Sequence, residues 1–342
     1  MANVRVYFAT NRDLLPGKRA GVFGKTFNPD GVAALRFGHA DFAGAAAPKV
    51  EVYPEKIEAG EALVLGSERF LKSLHGVMAN GATDTLIFIH GFNVSFMGAL
   101  AAGADLARQV TVEGRPLNVV VFSWPSDGSV VPLMAYYSDR EDARATGPAV
   151  ARAFLKLRDF VKDRLKPEEY CQRRLHLLAH SMGCYTLRQG LQAILAKEPR
   201  SLTRMFDQIL LAAPDEDDDA FEREDKLKAL PSLGRQVTVY HNPFDRALLV
   251  SDTTKTNPDR LGSDGPRLID VLPKKVVVVD CRSIAAGADD LSRHSYYINS
   301  RAVSVDIARV MAGQEPEGFP NREYLTTRRA WRLVGELAGE VV

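Results

Sequence analysis

Residues Arg174 to Gln192 read RLHLLAHSMGCYTLRQGLQ, and the reading of this stretch decides how the rest of the chain is organised. Leu175 to Ala179 is a short apolar run of buried-strand length, and Thr186, Leu187, Leu191 and Ile194 follow at helix-like spacing. Ser181 stands between the two. A strand that turns sharply into a helix with Ser at the apex carries the pattern G-x-S-x-G, the nucleophile elbow. Here it reads Ala179-His180-Ser181-Met182-Gly183, with Ala in place of the first Gly. Such a turn lifts the hydroxyl clear of a sheet and aims the Met182 N–H where an oxyanion would develop. The plainer reading is a Ser that only caps a helix.

The whole chain has 342 residues, 46% hydrophobic and 25% charged, with a formal net charge of +1. That balance suits a globular protein with a large core and gives no reason to expect a nucleic-acid or anionic-membrane partner. The start carries no stretch of signal-peptide type, and no apolar run is long enough to span a bilayer, so a cytoplasmic location is the expectation. Cys171, Cys184 and Cys281 cannot all pair, and none has metal-ligand spacing; no metal or cofactor is expected.

Outward from the centre, strands and helices alternate. Strands are expected at 4–9, 49–53, 85–89 (TLIFI), 118–122, 208–212, 236–240 and 276–280. Helices are expected at 61–78, 95–110, 143–165, 217–230 and 303–311, with a helical segment from Arg246. Residues 10–47 read as loop with short strands at most, and Asn257 to Pro273 as a loop insertion. The alternation argues a single α/β domain: a mostly parallel, doubly wound sheet with helices on both faces. It is expected over 1–312, with N-terminal strands and loops at 1–60 and a catalytic core at 85–312. A tail at 313–342 would carry a surface helix at 327–337.

In open α/β sheets, functional groups collect at the carboxyl ends of the strands. After TLIFI comes His90-Gly91-Phe92-Asn93, a turn that would supply a second oxyanion donor, the Phe92 N–H; Asn93 could equally cap the next helix. After the strand at 118–122 come Trp124 and a long loop holding Tyr136, Tyr137, Asp139 and Arg140. Trp124 and Tyr137, with His180 beside the serine, are candidates for lining a substrate pocket. Packing roles are the alternative, with Asp139 and Arg140 as an ion pair. Asp215 to Asp219 form an acidic run in which a carboxylate could serve as the triad acid, but it is read as the favoured start of a helix. Asp245 follows the strand at 236–240, and His294 follows the last strand. Ser181, Asp245 and His294 thus stand in the chain order Ser…Asp…His, as nucleophile, orienting acid and general base.

With these residues in place, the chain resembles the α/β-hydrolase superfamily. Within it, the resemblance is to a bacterial esterase/lipase-like family long catalogued as a domain of unknown function. The matching stretches are VYFATNR, LIFIHGFNVSF, FSWPSDG, YYSDREDA, LLAHSMG, LAAPDEDDDAF, FDRALLVS, RLG at 260–262 and RHSYY, running over nearly the whole chain. The resemblance implies an α/β-hydrolase fold and a cofactor-free serine hydrolase with nucleophile Ser181, acid Asp245, base His294 and backbone oxyanion donors at Phe92 and Met182. The expected activity is a carboxylesterase on short- to medium-chain acyl esters, with a small-molecule substrate. A thioesterase, amidase or acyltransferase on the same triad, or a binding protein on the same scaffold, is the alternative. Loops 124–142 and 251–273 would shape the pocket.

Overall fold

In the central strands, successive residues alternate between two apolar clusters. Leu86 and Phe88 face one and Ile87 and Ile89 the other; Val119 and Val121 alternate in the same way with Val120 and Phe122. Strands with apolar side chains on both faces must be covered on both faces, and a parallel sheet between helices does that. The computed structural model describes residues 3–15, 23–44, 47–53, 65–126, 132–166, 169–248, 259–284 and 292–335.

The sheet strands are β1 (Val4–Thr10), β4 (Arg36–Phe42), β5 (Lys49–Tyr53), β6 (Thr85–Ile89), β9 (Asn118–Ser123), β10 (Leu175–His180), β11 (Phe206–Ala212), β12 (Gly234–His241), β13 (Val276–Asp280), β14 (Arg322–Leu325) and β15 (Ala330–Leu333). Two small hairpins stand apart, β2 (Arg12–Leu14) with β3 (Phe23–Phe27), and β7 (Thr111–Val112) with β8 (Arg115–Pro116). Across the sheet the order is β14-β15-β13-β12-β11-β10-β6-β9-β1-β4-β5. The run from β15 to β1 is parallel, while β14, β4 and β5 join antiparallel at the edges.

One cluster packs under α1 (Gly66–Gly81), α4 (Gly147–Asp159) and α5 (Met182–Lys197), through Phe70, Leu74, Phe154, Leu191 and Ile194. The other packs under α2 (Phe96–Gln109) and α6 (Arg301–Met311), through Leu100, Leu106, Val303 and Ile307. The chain leaves β6 for β9 on one side and then returns to β10 on the other. The crevice at the carboxyl ends of β6 and β10 is therefore the switch point where such sheets place their sites.

Four expectations are corrected. Residues 36–42 form a full sheet strand although RFGHADF lacks an apolar rhythm. Gly38 fits there because a Cβ would run into the Glu51 carbonyl and the Phe8 ring. The helix expected at 143–165 is two helices: α3 (Pro132–Ala145) occupies what read as loop, and α4 restarts at Gly147-Pro148 and ends in a π turn at Phe160–Arg164. No helix fills 217–230. Turns run there instead, because the aspartates are drawn into side-chain ion pairs. The surface helix expected at 327–337 is instead a 3₁₀ turn at Thr326–Arg328 followed by β15, which extends the sheet past β13. Residues 127–131 and 251–258 of the two expected pocket loops, and most of the helical segment expected from Arg246, lie outside the described residues.

Candidate active site

Ser181 directly follows β10 with φ 54° and ψ −126°, a sparsely populated backbone region that costs about 1–3 kcal/mol for a residue with a Cβ. Its surroundings hold it there. The Ser181 N–H donates to the Ala212 carbonyl at 3.0 Å, and the Ser181 carbonyl accepts from the N–H groups of Cys184 at 2.9 Å and Asp215 at 3.2 Å. The turn also needs glycine on both sides. A Cβ on Gly183 would lie 2.5 Å from the carbonyl oxygens of Ile89 and His90, and one on Gly91 would lie 2.9 Å from Ser181 Cβ. Ala179 is wholly buried in β10. Met182 is the first residue of α5, where backbone N–H groups have no intrahelical acceptor and the helix dipole favours negative charge.

The turn after β6 faces this apex and is fixed from three sides. His90 donates from Nδ1 to the Gly91 carbonyl at 2.9 Å, and its Nε2 accepts from the Trp124 N–H at 3.2 Å. Burial, with the Arg12 charge adding repulsion, pushes His90 down to about 3, so it stays neutral. The Trp124 indole N–H donates to the His90 carbonyl at 2.9 Å, and the two rings stack at 5.2 Å. Trp124 is wholly buried. It buttresses the turn. Asp139 accepts from the Asn93 N–H at 3.1 Å and from the Ser126 hydroxyl, while Arg140 lies 3.9 Å above the Tyr185 ring. The two do not form the expected pair. Arg12, unremarked in the sequence, reaches the carbonyls of Gly24 at 2.9 Å and Val94 at 2.8 Å and the Ser123 hydroxyl at 3.0 Å. It ties the hairpin to the loops after β6 and β9.

Asp245 and His294 come together. His294 Nδ1 donates to Asp245 Oδ2 at 2.7 Å. The other carboxylate oxygen of Asp245 accepts from the N–H groups of Ala247 at 3.0 Å and Leu248 at 3.2 Å, so one residue caps a helical turn and holds an imidazole. Asp245 is wholly buried. The two loops are pinned together by the Arg246 N–H donating to the Ser292 carbonyl at 2.9 Å.

His180 brackets the segment that carries His294. Its ring is packed between His294, centroids 4.7 Å apart, and Tyr297, 4.4 Å apart. Its Nε2 donates to the His294 carbonyl at 3.2 Å. Burial first, then the neighbouring His294, holds its pKa well below the usual histidine range. Tyr296 locks the same segment to the sheet: its hydroxyl donates to the Tyr240 carbonyl at 2.9 Å and accepts from the Ala213 N–H at 3.1 Å.

The ring packed against Phe92 is that of Tyr136. The Tyr136 ring meets Phe92 edge-on at 5.8 Å, and its hydroxyl donates to Asp215 at 2.7 Å. Tyr137 is 49% exposed and packs on the outer side of Tyr136. Adjacent tyrosines in a stretch read as loop gave no signal for choosing between them. The acidic run is a buried ion network: Glu216 pairs with Arg188 at 3.1 Å, and Asp217 with Lys226 at 2.7 Å and Arg260 at 2.5 Å. Among the described residues, no cluster of three or more His, Cys, Asp or Glu side chains could hold a metal ion, and no helix is long and apolar enough to cross a membrane.

A parallel sheet covered on both faces, with a strained serine at its switch point, is the architecture of an α/β hydrolase. The chain belongs to the family described as alpha/beta hydrolase of unknown function (DUF900), whose model matches residues 71–312. No curated protein matches it. Among solved structures it is similar, at 12% identity, to Aspergillus fumigatus lipase B (TM-score 0.33, 69% of this chain and 54% of that one). It is also similar, at 12% identity, to Pyrococcus horikoshii acylaminoacyl peptidase (TM-score 0.34, 84% and 42%). A third likeness, at 12% identity, is to an uncharacterized protein from Pseudomonas aeruginosa (TM-score 0.32, 72% and 49%). The chain thus spans about half the length of the structures it matches.

Proposed function

We propose that the protein is a serine hydrolase that cleaves carboxylic esters through an acyl-enzyme on Ser181. The observation that carries this reading is the Ser181 backbone, held at φ 54° against its preference while its carbonyl and N–H are tied down on both sides. Strain of this kind persists where exposing one side chain matters more than the local energy.

In this mechanism Ser181 Oγ attacks the ester carbonyl carbon as His294 Nε2 takes its proton. Asp245 holds Nδ1–H and stabilises the imidazolium. The N–H groups of Phe92 and Met182 donate to the tetrahedral oxyanion, in a turn already fixed and needing no rearrangement. His294 then returns the proton to the departing alkoxide, leaving the acyl group on Ser181. Water attacks that ester as His294 takes its proton, and the tetrahedral intermediate collapses with Ser181 Oγ leaving and recovering the proton from His294, which frees the carboxylic acid. In this reading Phe92 and Tyr136 flank the acyl group.

Labelling with a fluorophosphonate, together with hydrolysis of p-nitrophenyl esters from acetate to palmitate, tests this reading in wild type and Ser181→Ala. Wild type should take the label and turn over the shorter esters, and the variant should do neither. A wild-type protein that takes no label and cleaves no ester refutes the proposal. One that labels without cleaving any ester retains the nucleophile but refutes the substrate class.

A further inference from the structure

A second cleft lies at the opposite end of the sheet. It has a volume of about 400 Å³, within the range of small-molecule sites, and opens where β10, β11 and β12 begin. Ser181 follows the far end of β10, so about 20 Å of strand separates the two places. The floor is apolar, formed by Leu74, Met78, Leu157, Phe160 and Phe206. Leu74, Leu157 and Phe206 also line a separate void of about 90 Å³, whose other walls are almost wholly apolar.

The rim is basic. Arg173, Arg174, Arg204 and Arg235 line it, and the one carboxylate among the described lining residues, Asp207, is taken by Arg235 at 2.9 Å. Arg173 donates only to the carbonyls of Cys171 and Ala82, and exposed Arg204 makes no ion pair among the described residues. One wall is the π turn at Phe160–Arg164, where the Leu165 N–H reaches back to the Phe160 carbonyl at 3.2 Å. Such turns widen a helix and recur at functional sites.

We propose that this cleft binds a long-chain carboxylate, with the tail on the Leu74–Phe160 floor and the head among Arg173 and Arg204. A long apolar floor suits a single unbranched chain. A rim with surplus guanidinium suits an anionic planar head that accepts paired hydrogen bonds. The site does not depend on the Ser181 reading and would bind whether or not that serine reacts.

Cys171 reports on the cleft. It is a half-buried lining residue, whereas Cys184 and Cys281 are wholly buried, with their thiols pushed well up by burial. The full-length protein is treated with neutral N-ethylmaleimide, with and without sodium dodecanoate below its micelle concentration, and modification of Cys171 is followed by peptide mass spectrometry. Dodecanoate at about ten times its Kd should slow the reaction about tenfold. Dodecyltrimethylammonium, with a similar tail and the opposite charge, should not. Arg204→Glu should weaken protection, read as the ratio of that variant's own rates with and without dodecanoate, and Arg173→Glu/Arg204→Glu should abolish it. The proposal is overturned if Cys171 is unreactive in the free protein, since something else then fills the cleft. It is equally overturned if dodecanoate gives no protection, if the cation protects as well, or if both charge reversals leave protection intact.

Discussion

Lowering the pH from 7.5 to 5.0 should destabilise this protein more steeply than its carboxylates account for, because several histidines are buried in neutral form. His90 is the clearest. Burial and the Arg12 charge depress it from 6.5 to about 3, while in the unfolded chain it titrates near its ordinary value. Between those values the unfolded state binds the proton and the native state does not, so stability is full above pH 6.5 and falls as the pH drops toward 3. From pH 7.5 to 5.0 that one residue removes about 2 kcal/mol of unfolding free energy. His180, His241 and His39, each depressed chiefly by burial, add in the same direction. Buried Glu216, whose carboxyl is raised by desolvation, opposes them. Urea unfolding at the two pH values, in wild type and His90→Gln, isolates the first contribution: the variant should show a pH dependence about 2 kcal/mol shallower. Equal dependence in the two would refute the reasoning. Ring NMR shifts of native His90 supply a check that needs no variant, since a titration midpoint near 6 would refute it as well.

Two substitutions probe the site itself. Asp245→Asn keeps an oxygen for the Ala247 and Leu248 N–H groups but turns an amide toward His294 Nδ1, favouring the wrong tautomer; ester kcat should fall about 10⁴-fold with little change in Tm. A similar loss of Tm and kcat together would argue that Asp245 acts only as a cap. Gly183→Ala places a Cβ 2.5 Å from two backbone carbonyl oxygens and should cost about 1–3 kcal/mol in denaturant unfolding as well as activity. Gly76→Ala in α1, where a Cβ meets nothing within 4 Å, should instead be neutral or stabilising by up to about 1 kcal/mol.

What the sequence revealed follows from which interactions are local. TLIFI, KVEVY and VVVVD are strands with the bounds their composition suggests, because an apolar or alternating run contains its own reason for burial. Ser181 was legible because the small-residue pattern around it is a local requirement of the turn. RFGHADF was illegible as a strand because its pairing comes from β1 and β5, across long stretches of chain. The acidic run read as a helix start because its cations, Arg188, Lys226 and Arg260, come from three separate segments. Arg12 and Trp124 belong to the same class: each holds the turn after β6 through a backbone carbonyl, and carbonyl partners leave no mark on composition.

The neutral state of His180 bears directly on how His294 could work. In the proposed mechanism His294 becomes an imidazolium each time it takes a proton from Ser181 or from water. Its ring lies 4.7 Å from that of His180. Were both rings charged, their repulsion at an effective dielectric of about 20 would amount to about 3–4 kcal/mol, a rate factor of several hundred. Burial between Tyr297 and His294 keeps His180 uncharged, and its Nε2–H is committed to the His294 carbonyl. The residue next to the serine can therefore position the base without competing for its proton. An aliphatic side chain there would be equally uncharged but could not donate to that carbonyl, which couples the loop carrying His294 to the strand carrying Ser181.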